Sequence, residues 1–316
     1  MAGHGGSDAN NLDRRNERRL PASIRRGGCA LACTQSHPRP RRRRCRPIRE
    51  GPSVTKSTVL LAITRGVGWL RLNRADKRNA LSQQLISDLN AALDQIENDP
   101  SCRVIVVTGM GPAFSAGGDL REFKQFLDRG DREGLVRFVD HTAKTLSRLE
   151  DSPRPVIAAV NGVAVAGGME LLLCCDIVLA ADTALIGDGH ARYGVLPGAG
   201  GVARLVNKVP PNIAARLLLS GELLPAGHRH LTGLVDEVVP HDELIGVAGK
   251  LAAHIADLSP LALAHMKRTA HSARNQPVSV GLGLELTTFG DYIGSRDFAE
   301  GMSAFSEHRA PVFTGQ

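Results

Sequence analysis

Two segments of similar design dominate the sequence: residues 103–121 read RVIVVTGMGPAFSAGGDLR, and residues 155–170 read PVIAAVNGVAVAGGME. Each contains a short apolar run, continues through a glycine-rich loop and ends where a helical pattern begins. An unbroken apolar run rich in β-branched residues is typical of a strand buried on both faces of a sheet. The repetition of strand, loop and helix predicts an α/β fold built on a parallel sheet.

The segments on either side continue this alternation. Two short β-rich runs, Thr58–Ile63 and Val67–Leu72, are separated by Thr64-Arg65-Gly66 and predict a hairpin. Ser82 is the predicted N-cap of an amphipathic helix that ends at Asp99-Pro100. The remaining predicted elements are a helical stretch over 119–149 with a break near Gly130, a helix from Glu170, a strand over Ile177–Ala180, a loop over 187–201, and helices over Pro211–Leu219, His241–Ala256, Pro260–Ser272, Leu282–Ile293 and Asp297–Glu307.

The overall composition is that of a globular protein. Of the 316 residues, 42% are hydrophobic and 22% are charged, which excludes a wholly disordered or collagen-like chain. Aromatic residues make up only 3%, so there is little from which to build a stacking surface for single-stranded nucleic acid. No apolar run approaches the length of a membrane-spanning helix, so we expect a soluble protein without a membrane span.

The net charge of +7 comes entirely from residues 1–57. That segment carries 14 Lys and Arg against 4 Asp and Glu, whereas residues 58–316 carry 25 against 28. Four consecutive arginines at 41–44, several prolines and few large aliphatic residues predict a disordered, Arg/Pro-rich tail over 1–57. Such a tail is compatible with a solvated extension, with a basic arm that contacts RNA or an anionic membrane, and with a targeting segment. For the body, 58–316, we expect no nucleic-acid partner.

The six cysteines indicate neither a disulfide framework nor a metal site. Three lie in the tail, where even with His37 as a fourth ligand their spacing fits no standard zinc site: Cys29, Cys33 and Cys45. Three lie in apolar surroundings and are expected to be buried small side chains: Cys102, Cys174 and Cys175. This usage suits a reducing compartment, and we expect a cytoplasmic location.

The two glycine-rich loops have the features of an oxyanion-binding site. The first N–H groups of a helix lack carbonyl partners and carry partial positive charge, so they stabilise an oxygen that gains negative charge. Two such loops at the same edge of a parallel sheet can aim two N–H groups at one carbonyl oxygen. Either loop alone is equally compatible with tight strand-to-helix packing. Neither fits the dinucleotide-binding or the phosphate-loop pattern.

Several further motifs occur in the order and spacing of one known family. They are Leu72 to Leu81 (LNRADKRNAL), Phe114 to Leu120, Pro155 to Glu170, Leu196 to Gly201 (LPGAGG), and the ending Asp297 to Gly301 with Phe305, His308, Arg309 and Pro311. In these motifs the sequence resembles the crotonase (enoyl-CoA hydratase/isomerase) family over residues 58–316. The resemblance implies a crotonase-like ββα spiral core over 58–210 and a C-terminal helical trimerisation region over 211–316. It also implies a homotrimer or a dimer of trimers.

The resemblance also assigns roles to individual residues. It implies that the N–H groups of Gly118 and Gly167 bind the thioester oxygen and that Glu170 activates water. It implies that coenzyme A is contacted by residues around the first loop and the preceding motif: Lys77, Arg78, Ala116 and Arg121. The family's second glutamate falls on His190, and here the sequence departs from the hydratase pattern.

That departure leaves the exact reaction open. Histidine exchanges protons near neutral pH, so His190 can act as the acid beside Glu170. Alternatively, His190 lines an acyl pocket and the chemistry differs. Three further residues are candidates for contact with the substrate: Asp119, Arg192 and Tyr193. Arg192 can bind a substrate carboxylate or oxo group, or it pairs with Asp188 or Asp119. Asp119 is a natural cap for the helix that it precedes.

The sequence as a whole therefore predicts an acyl-CoA enzyme of the enoyl-CoA hydratase type. It would add water to a 2-enoyl-CoA through an enolate, without a metal or redox cofactor. Coenzyme A is part of the substrate and is not a separate cofactor. One alternative is another enolate reaction, such as double-bond isomerisation or hydrolysis of a β-diketone. A second alternative is a protein that binds acyl-CoA without turnover.

Overall fold

The computed structural model describes residues 57–316, which form an α/β domain. The ten strands of this region are β1 (Val59–Thr64), β2 (Val67–Leu72), β3 (Val104–Gly109), β4 (Ala113–Ser115), β5 (Val156–Val160), β6 (Val163–Val165), β7 (Ile177–Ala181), β8 (Leu185–Gly187), β9 (Leu224–Pro225) and β10 (Glu237–Val239). Its ten α-helices are α1 (Gln83–Asn98), α2 (Leu120–Asp128), α3 (Arg132–Glu150), α4 (Gly167–Leu173), α5 (Gly201–Leu205), α6 (Pro211–Ser220), α7 (Leu244–Ala256), α8 (Pro260–Ala273), α9 (Val278–Tyr292) and α10 (Arg296–Ser306). The expectations for residues 1–56, including the tail and its cysteines, lie outside the described residues.

The larger sheet has six strands in the order β1-β2-β3-β5-β7-β10. β1 and β2 form the predicted antiparallel hairpin, whose turn places Arg65 and Gly66 at positive φ. All other pairings in this sheet are parallel. β3 and β5 are buried at every position, as their unbroken apolar runs predict.

A second, smaller sheet lies in the segments that the sequence indicated only as loops. It has the order β4-β6-β8-β9, and β4, β6 and β8 pair in parallel. Three successive units therefore place one strand in each sheet: β3 and β4, β5 and β6, then β7 and β8. β4, β6 and β8 have only three residues each, too few for a periodic pattern to be recognised in sequence. This repeated arrangement is the predicted ββα core.

The helices mostly follow their sequence signals. Ser82 caps α1, with its Oγ accepting from Leu85 N at 3.1 Å, and α1 buries the predicted apolar face. The helical stretch 119–149 is divided into α2 and α3, and Gly130 stands at the break with φ +68°. Three beginnings differ from prediction: α4 begins three residues before Glu170, α9 begins four residues before Leu282, and α7 begins three residues after His241. Glycines occupy the first turns of α4 and α9, so propensity alone placed their starts too late. Residues 241–243 form a turn instead of the predicted first helical turn of α7.

The core is built from the strands of both sheets and the helices packed on them. α1 contacts β1 and β2, and α7 contacts the central strands of the sheet. Cys102, Cys174 and Cys175 are free thiols inside this core, as expected. Among residues 57–316 no single helix has the length and hydropathy of a membrane span, although α7 and α8 together, bent by 104°, have that length and composition.

Beyond residue 210 the chain contributes to both sheets. The sequence indicated mainly helices there, yet β9 joins the smaller sheet and β10 joins the larger one. The last three helices, α8 to α10, contribute little to the core: α8 has no buried residue, and α9 buries only Gly281. The outer side of α9 exposes large apolar side chains, namely Val278, Leu282, Leu286 and Phe289.

Candidate active site

One cavity collects most of the residues that the sequence singled out. It lies where β4, β6 and β8 end, and where the loop after β8 crosses the start of α4. Its polar and backbone lining includes Ala116, Gly118, Gly167, Glu170, His190 and Tyr193. Its apolar lining includes Leu81, Leu120, Phe123, Phe138, Val139, Val165, Val195 and Leu196.

The two glycine-rich loops meet in this cavity. A Cβ added to Gly167 would lie 3.2 Å from the nitrogen of Gly118, and one added to Gly117 would lie 3.0 Å from the nitrogen of Gly167. Only residues without side chains allow such an approach, and Gly117 also has φ +87°. Within residues 57–316 neither the Gly118 nor the Gly167 N–H donates to another protein group. The loops are thus brought together as the sequence predicted.

The turn into α4 is strained at Ala166. This residue has φ 53° and ψ −119°, a conformation that costs a non-glycine residue about 1–3 kcal/mol. It sits between β6 and α4 and allows the helix to begin at Gly167, so that Glu170 falls in its first turn. The surrounding packing holds Ala166 in this conformation, because Val165 and Gly167 are both fixed against the neighbouring loop.

Glu170 is buried and tethered through one oxygen. The residue is only 4% exposed, and its Oε1 accepts hydrogen bonds from Ala199 N at 2.8 Å and Gly201 N at 2.9 Å. No group in the described chain donates to Oε2. A carboxylate held in this way keeps a fixed orientation while one oxygen stays available to a water molecule or substrate.

The turn that binds Glu170 is itself held by Arg204, a residue that no sequence motif indicated. Arg204 donates from Nη1 to Ala199 O at 2.7 Å and from Nε to Glu150 at 2.6 Å. Its Nη2 donates to Ser147 Oγ at 2.9 Å. The guanidinium therefore ties the 197–201 turn to the end of α3. Glu150 is 54 positions away in sequence, so no local pattern indicates this pairing.

His190 is paired with Asp188. The His190 ring Nδ1 lies 2.9 Å from Asp188 Oδ2, and the His190 backbone N–H donates to Asp188 Oδ1 at 3.2 Å. Both residues are buried. His190 begins a short 3-10 helix, His190–Tyr193, and its side chain lines the cavity together with Glu170.

This pairing corrects the expectation for Arg192. The alternative that Arg192 pairs with Asp188 or Asp119 is wrong, because Asp188 binds His190 and Asp119 binds Arg74 at 2.9 Å. Arg192 is exposed, lies against Gly221 and is not among the described residues that line the cavity. The proposed contact of Arg192 with substrate therefore has no support from its position. Tyr193 does line the cavity, although it is 75% exposed.

Asp119 has the capping role that its position suggested. Its Oδ1 accepts from Arg121 N at 3.2 Å and Glu122 N at 3.4 Å, and its Oδ2 binds Arg74. These contacts fix the start of α2 directly after Gly118. Both oxygens are occupied, so Asp119 supports the loop rather than presenting a free group to the cavity.

The cationic residues assigned to coenzyme A are exposed. Lys77 lies in a short 3-10 helix, where its Nζ is 3.4 Å from Asp76, and Arg78 follows it with φ 50°. Ala116 donates its N–H to the carbonyl of Arg78 at 2.9 Å, which joins this segment to the first glycine loop. Arg121 is exposed in the first turn of α2. Between residues 57 and 316 no group of three or more His, Cys, Asp or Glu could hold a metal ion.

Comparison with known proteins identifies the class that this fold and cavity define. Residues 62–316 match the family model described as enoyl-CoA hydratase/isomerase. The chain belongs to this family, and its fold is the crotonase fold.

Individual relatives are similar over nearly their whole length. A probable enoyl-CoA hydratase of Mycobacterium tuberculosis (strain CDC 1551 / Oshkosh) is 36% identical over 261 residues, which cover 83% of this chain and 99% of that protein. A 2,3-dehydroadipyl-CoA hydratase of Escherichia coli (strain K12) is 35% identical over 82% of this chain and 100% of its own. The crystal structure of an enoyl-CoA hydratase from Bacillus anthracis superposes with a TM-score of 0.78 at 33% identity, covering 82% of this chain and 100% of that one.

Proposed function

We propose that this protein is an enoyl-CoA hydratase that adds water to a 2-enoyl-CoA thioester. One observation carries the proposal: a buried carboxylate with one unoccupied oxygen lines the same cavity as two glycine N–H groups that donate to no other group in residues 57–316. The named relatives support the same reaction class. Coenzyme A belongs to the substrate, and the proposed reaction uses no further cofactor.

The two glycines would stabilise the enolate. In the proposed complex the thioester oxygen accepts from the N–H groups of Gly118 and Gly167, and these hydrogen bonds strengthen as negative charge develops on the oxygen. Removal of one donor of this kind typically costs about 2.7–4 kcal/mol of transition-state stabilisation. Because both donors belong to the backbone, the positions of the two loops determine this contribution.

Glu170 and His190 would divide the proton transfers. Oε2 of Glu170 takes a proton from water as the water oxygen forms a bond to the β-carbon, and the π electrons move to the thioester oxygen. The enolate then collapses as the His190 imidazolium gives a proton to the α-carbon. Glu170 then releases its proton to solvent and His190 takes one up from solvent. Both side chains return to their starting states, and the net reaction adds one water to the substrate.

The surroundings suggest how the rest of the substrate binds. Lys77, Arg78 and Arg121 are exposed cations around the first glycine loop and would contact the phosphates of coenzyme A. In the described chain no Arg or Lys side chain lines the cavity, whereas Phe123 and Phe138 do. We therefore propose an uncharged acyl group as the preferred substrate.

A panel assay with the full chain tests the reaction. The 2-enoyl-CoA thioesters of increasing length are expected to lose the absorbance of the conjugated enoyl thioester. A gain of that absorbance from a 3-enoyl-CoA would instead support isomerisation, the second enolate reaction, for which a single proton carrier is sufficient. Retention of CoA thioesters without either change would replace the proposal with a binding protein.

We also propose that the chain assembles into a trimer or a dimer of trimers. Leu282, Leu286 and Phe289 of α9 are 59%, 72% and 55% exposed, and an apolar face of this kind is typical of a subunit interface. Sedimentation of the full chain is expected to give three or six copies. A monomer at micromolar concentration would contradict this proposal.

A further inference from the structure

Asp188 is a buried carboxylate whose two oxygens both contact one histidine, His190. It is 2% exposed, and each of its oxygens contacts His190: Oδ1 binds the backbone N–H and Oδ2 lies 2.9 Å from the ring Nδ1. No other donor in the described chain reaches either oxygen. A buried charge is costly unless it is paired, so this arrangement indicates that the carboxylate acts on the histidine ring.

The fold holds the two side chains together. Gly189 between them has φ +68°, and a Cβ at this position would lie 2.4 Å from Val165 Cγ2. The segment is therefore packed against β6 and bent so that residues 188 and 190 contact each other. The contact follows from the backbone, since the His190 N–H is one of its two hydrogen bonds.

We infer that Asp188 is a positioning residue that keeps a proton on Nδ1 of His190 and leaves Nε2 as the only ring nitrogen that exchanges protons with the cavity. An ionised carboxylate only accepts hydrogen bonds, so the ring nitrogen that faces it must carry the proton. Asp188 also stabilises the positive charge of the imidazolium that the proposed hydration requires. The catalytic part of this inference rests on the proposed function, whereas the position of the proton does not.

The other titratable groups near the ring do not replace this partner. Glu170 and Tyr193 line the same cavity from α4 and from the end of the 3-10 helix. Oε1 of Glu170 is directed to the 199–201 amides, and Arg192 lies against Gly221. Asp188 is thus the group in direct contact with Nδ1, and it fixes which ring nitrogen faces the substrate.

Nitrogen NMR of the full chain with ¹⁵N-labelled histidine tests the inference. The His190 signals are assigned by their loss in His190→Gln. In the wild-type protein the neutral ring is expected to be protonated at Nδ1. In Asp188→Asn the side-chain amide can donate to Nδ1, so the proton is expected to move to Nε2. A wild-type ring protonated at Nε2, or an unchanged proton position in Asp188→Asn, would overturn the inference.

Kinetics test its consequence for the reaction. Asp188→Asn is expected to lower kcat by a factor of about 10²–10⁴ with little change in KM, since the equivalent substitution in hydrolase triads costs about 10⁴. The matched control is Asp297→Asn, because Asp297 is as deeply buried and binds Ser259 and the C-terminal backbone. It should retain wild-type kcat. A switched proton position with kcat within twofold of wild type would contradict the role of Asp188 in the reaction.

The two readouts separate the inference from the proposed function. If the wild-type chain hydrates no enoyl-CoA, the proposed function fails, and the NMR measurement still decides where the proton lies. If the chain is an active hydratase but Asp188→Asn moves neither the proton nor kcat, only the inference fails. The wild-type spectrum shows which ring nitrogen of His190 carries the proton even if the Asp188→Asn variant does not fold.

Discussion

Substitution of Glu170 by Gln separates the proposed proton transfer from the structural role of this side chain. The Gln side-chain oxygen can still accept from Ala199 N and Gly201 N, the two bonds that hold Glu170 Oε1. The amide group then stands where Oε2 was, and it cannot take a proton from water. The variant therefore changes the chemistry while it keeps the shape and the tether.

The expected magnitude follows from these contacts. Loss of a general base typically lowers the rate by a factor of about 10²–10⁴, which corresponds to about 2.7–5.4 kcal/mol of activation free energy. A hydrogen bond to a carboxylate contributes about 1.5–3 kcal/mol to stability, and one to a neutral amide oxygen contributes about 0.5–1.5 kcal/mol. Both bonds are kept but weakened, whereas a buried neutral side chain costs less than a buried charge. These two effects oppose each other, so we expect the free energy of unfolding to change by about 2 kcal/mol or less.

Steady-state hydration of a 2-enoyl-CoA by the full chain gives kcat and KM, and calorimetry gives the affinity for a saturated acyl-CoA. We expect kcat to fall and the affinity to stay within a few-fold of wild type. The control is Glu300→Gln: Glu300 also accepts a backbone N–H, from Val312 at 2.8 Å, but lies on α10 outside the cavity. Wild-type kcat in Glu170→Gln would refute the assignment of Glu170 as the base.

Three further substitutions or treatments test other parts of the structure. Arg204→Met is expected to lower kcat at least tenfold, because the 197–201 turn loses its bond to Arg204. It is expected to lower the free energy of unfolding by about 3 kcal/mol, because Glu150 keeps its partly buried charge without a partner. Steady-state kinetics and denaturant titration measure the two effects, and a wild-type kcat would show that the turn holds Glu170 without Arg204. Gly117→Ala is expected to destabilise the protein by at least about 1–3 kcal/mol, since φ is +87° and the new Cβ would lie 2.8 Å from Val165 O; an unchanged melting temperature would contradict the tight loop contact. Cys174 and Cys175 should resist alkylation in the native protein, because burial raises the pKa of both thiols, that of Cys175 to about 12; rapid labelling detected by peptide mass spectrometry would contradict their burial.

Much of the fold could be predicted from local sequence patterns. The apolar runs of β3 and β5, the Ser82 cap of α1 and the break at Gly130 each depend on residues close together in the chain. The two glycine loops were also predicted to meet, because parallel strands end at the same edge. The start of α4 was not, since it depends on the strained conformation of Ala166, which packing imposes.

The residues of the site were predicted from local motifs, but their side-chain contacts with one another were not. Glu170, Gly118 and Gly167 were identified from motifs, and the structure brings them to one cavity. The partner of Asp188 could not be predicted in this way. His190 and Arg192 both lie within five positions of it in the chain, so the sequence favours neither as its partner.

By itself the sequence determined most of the helices and the five longer strands of the larger sheet, the two glycine loops and the residue types available for proton transfer. Tertiary structure alone decided the partners: Asp188 with His190, Arg204 with the turn that binds Glu170, and the short strands of the second sheet. The physical reason is the range of the interactions. Helix caps and strand periodicity act between near neighbours, whereas a side chain's hydrogen-bond partner depends on backbone bends and on segments that are distant in the chain.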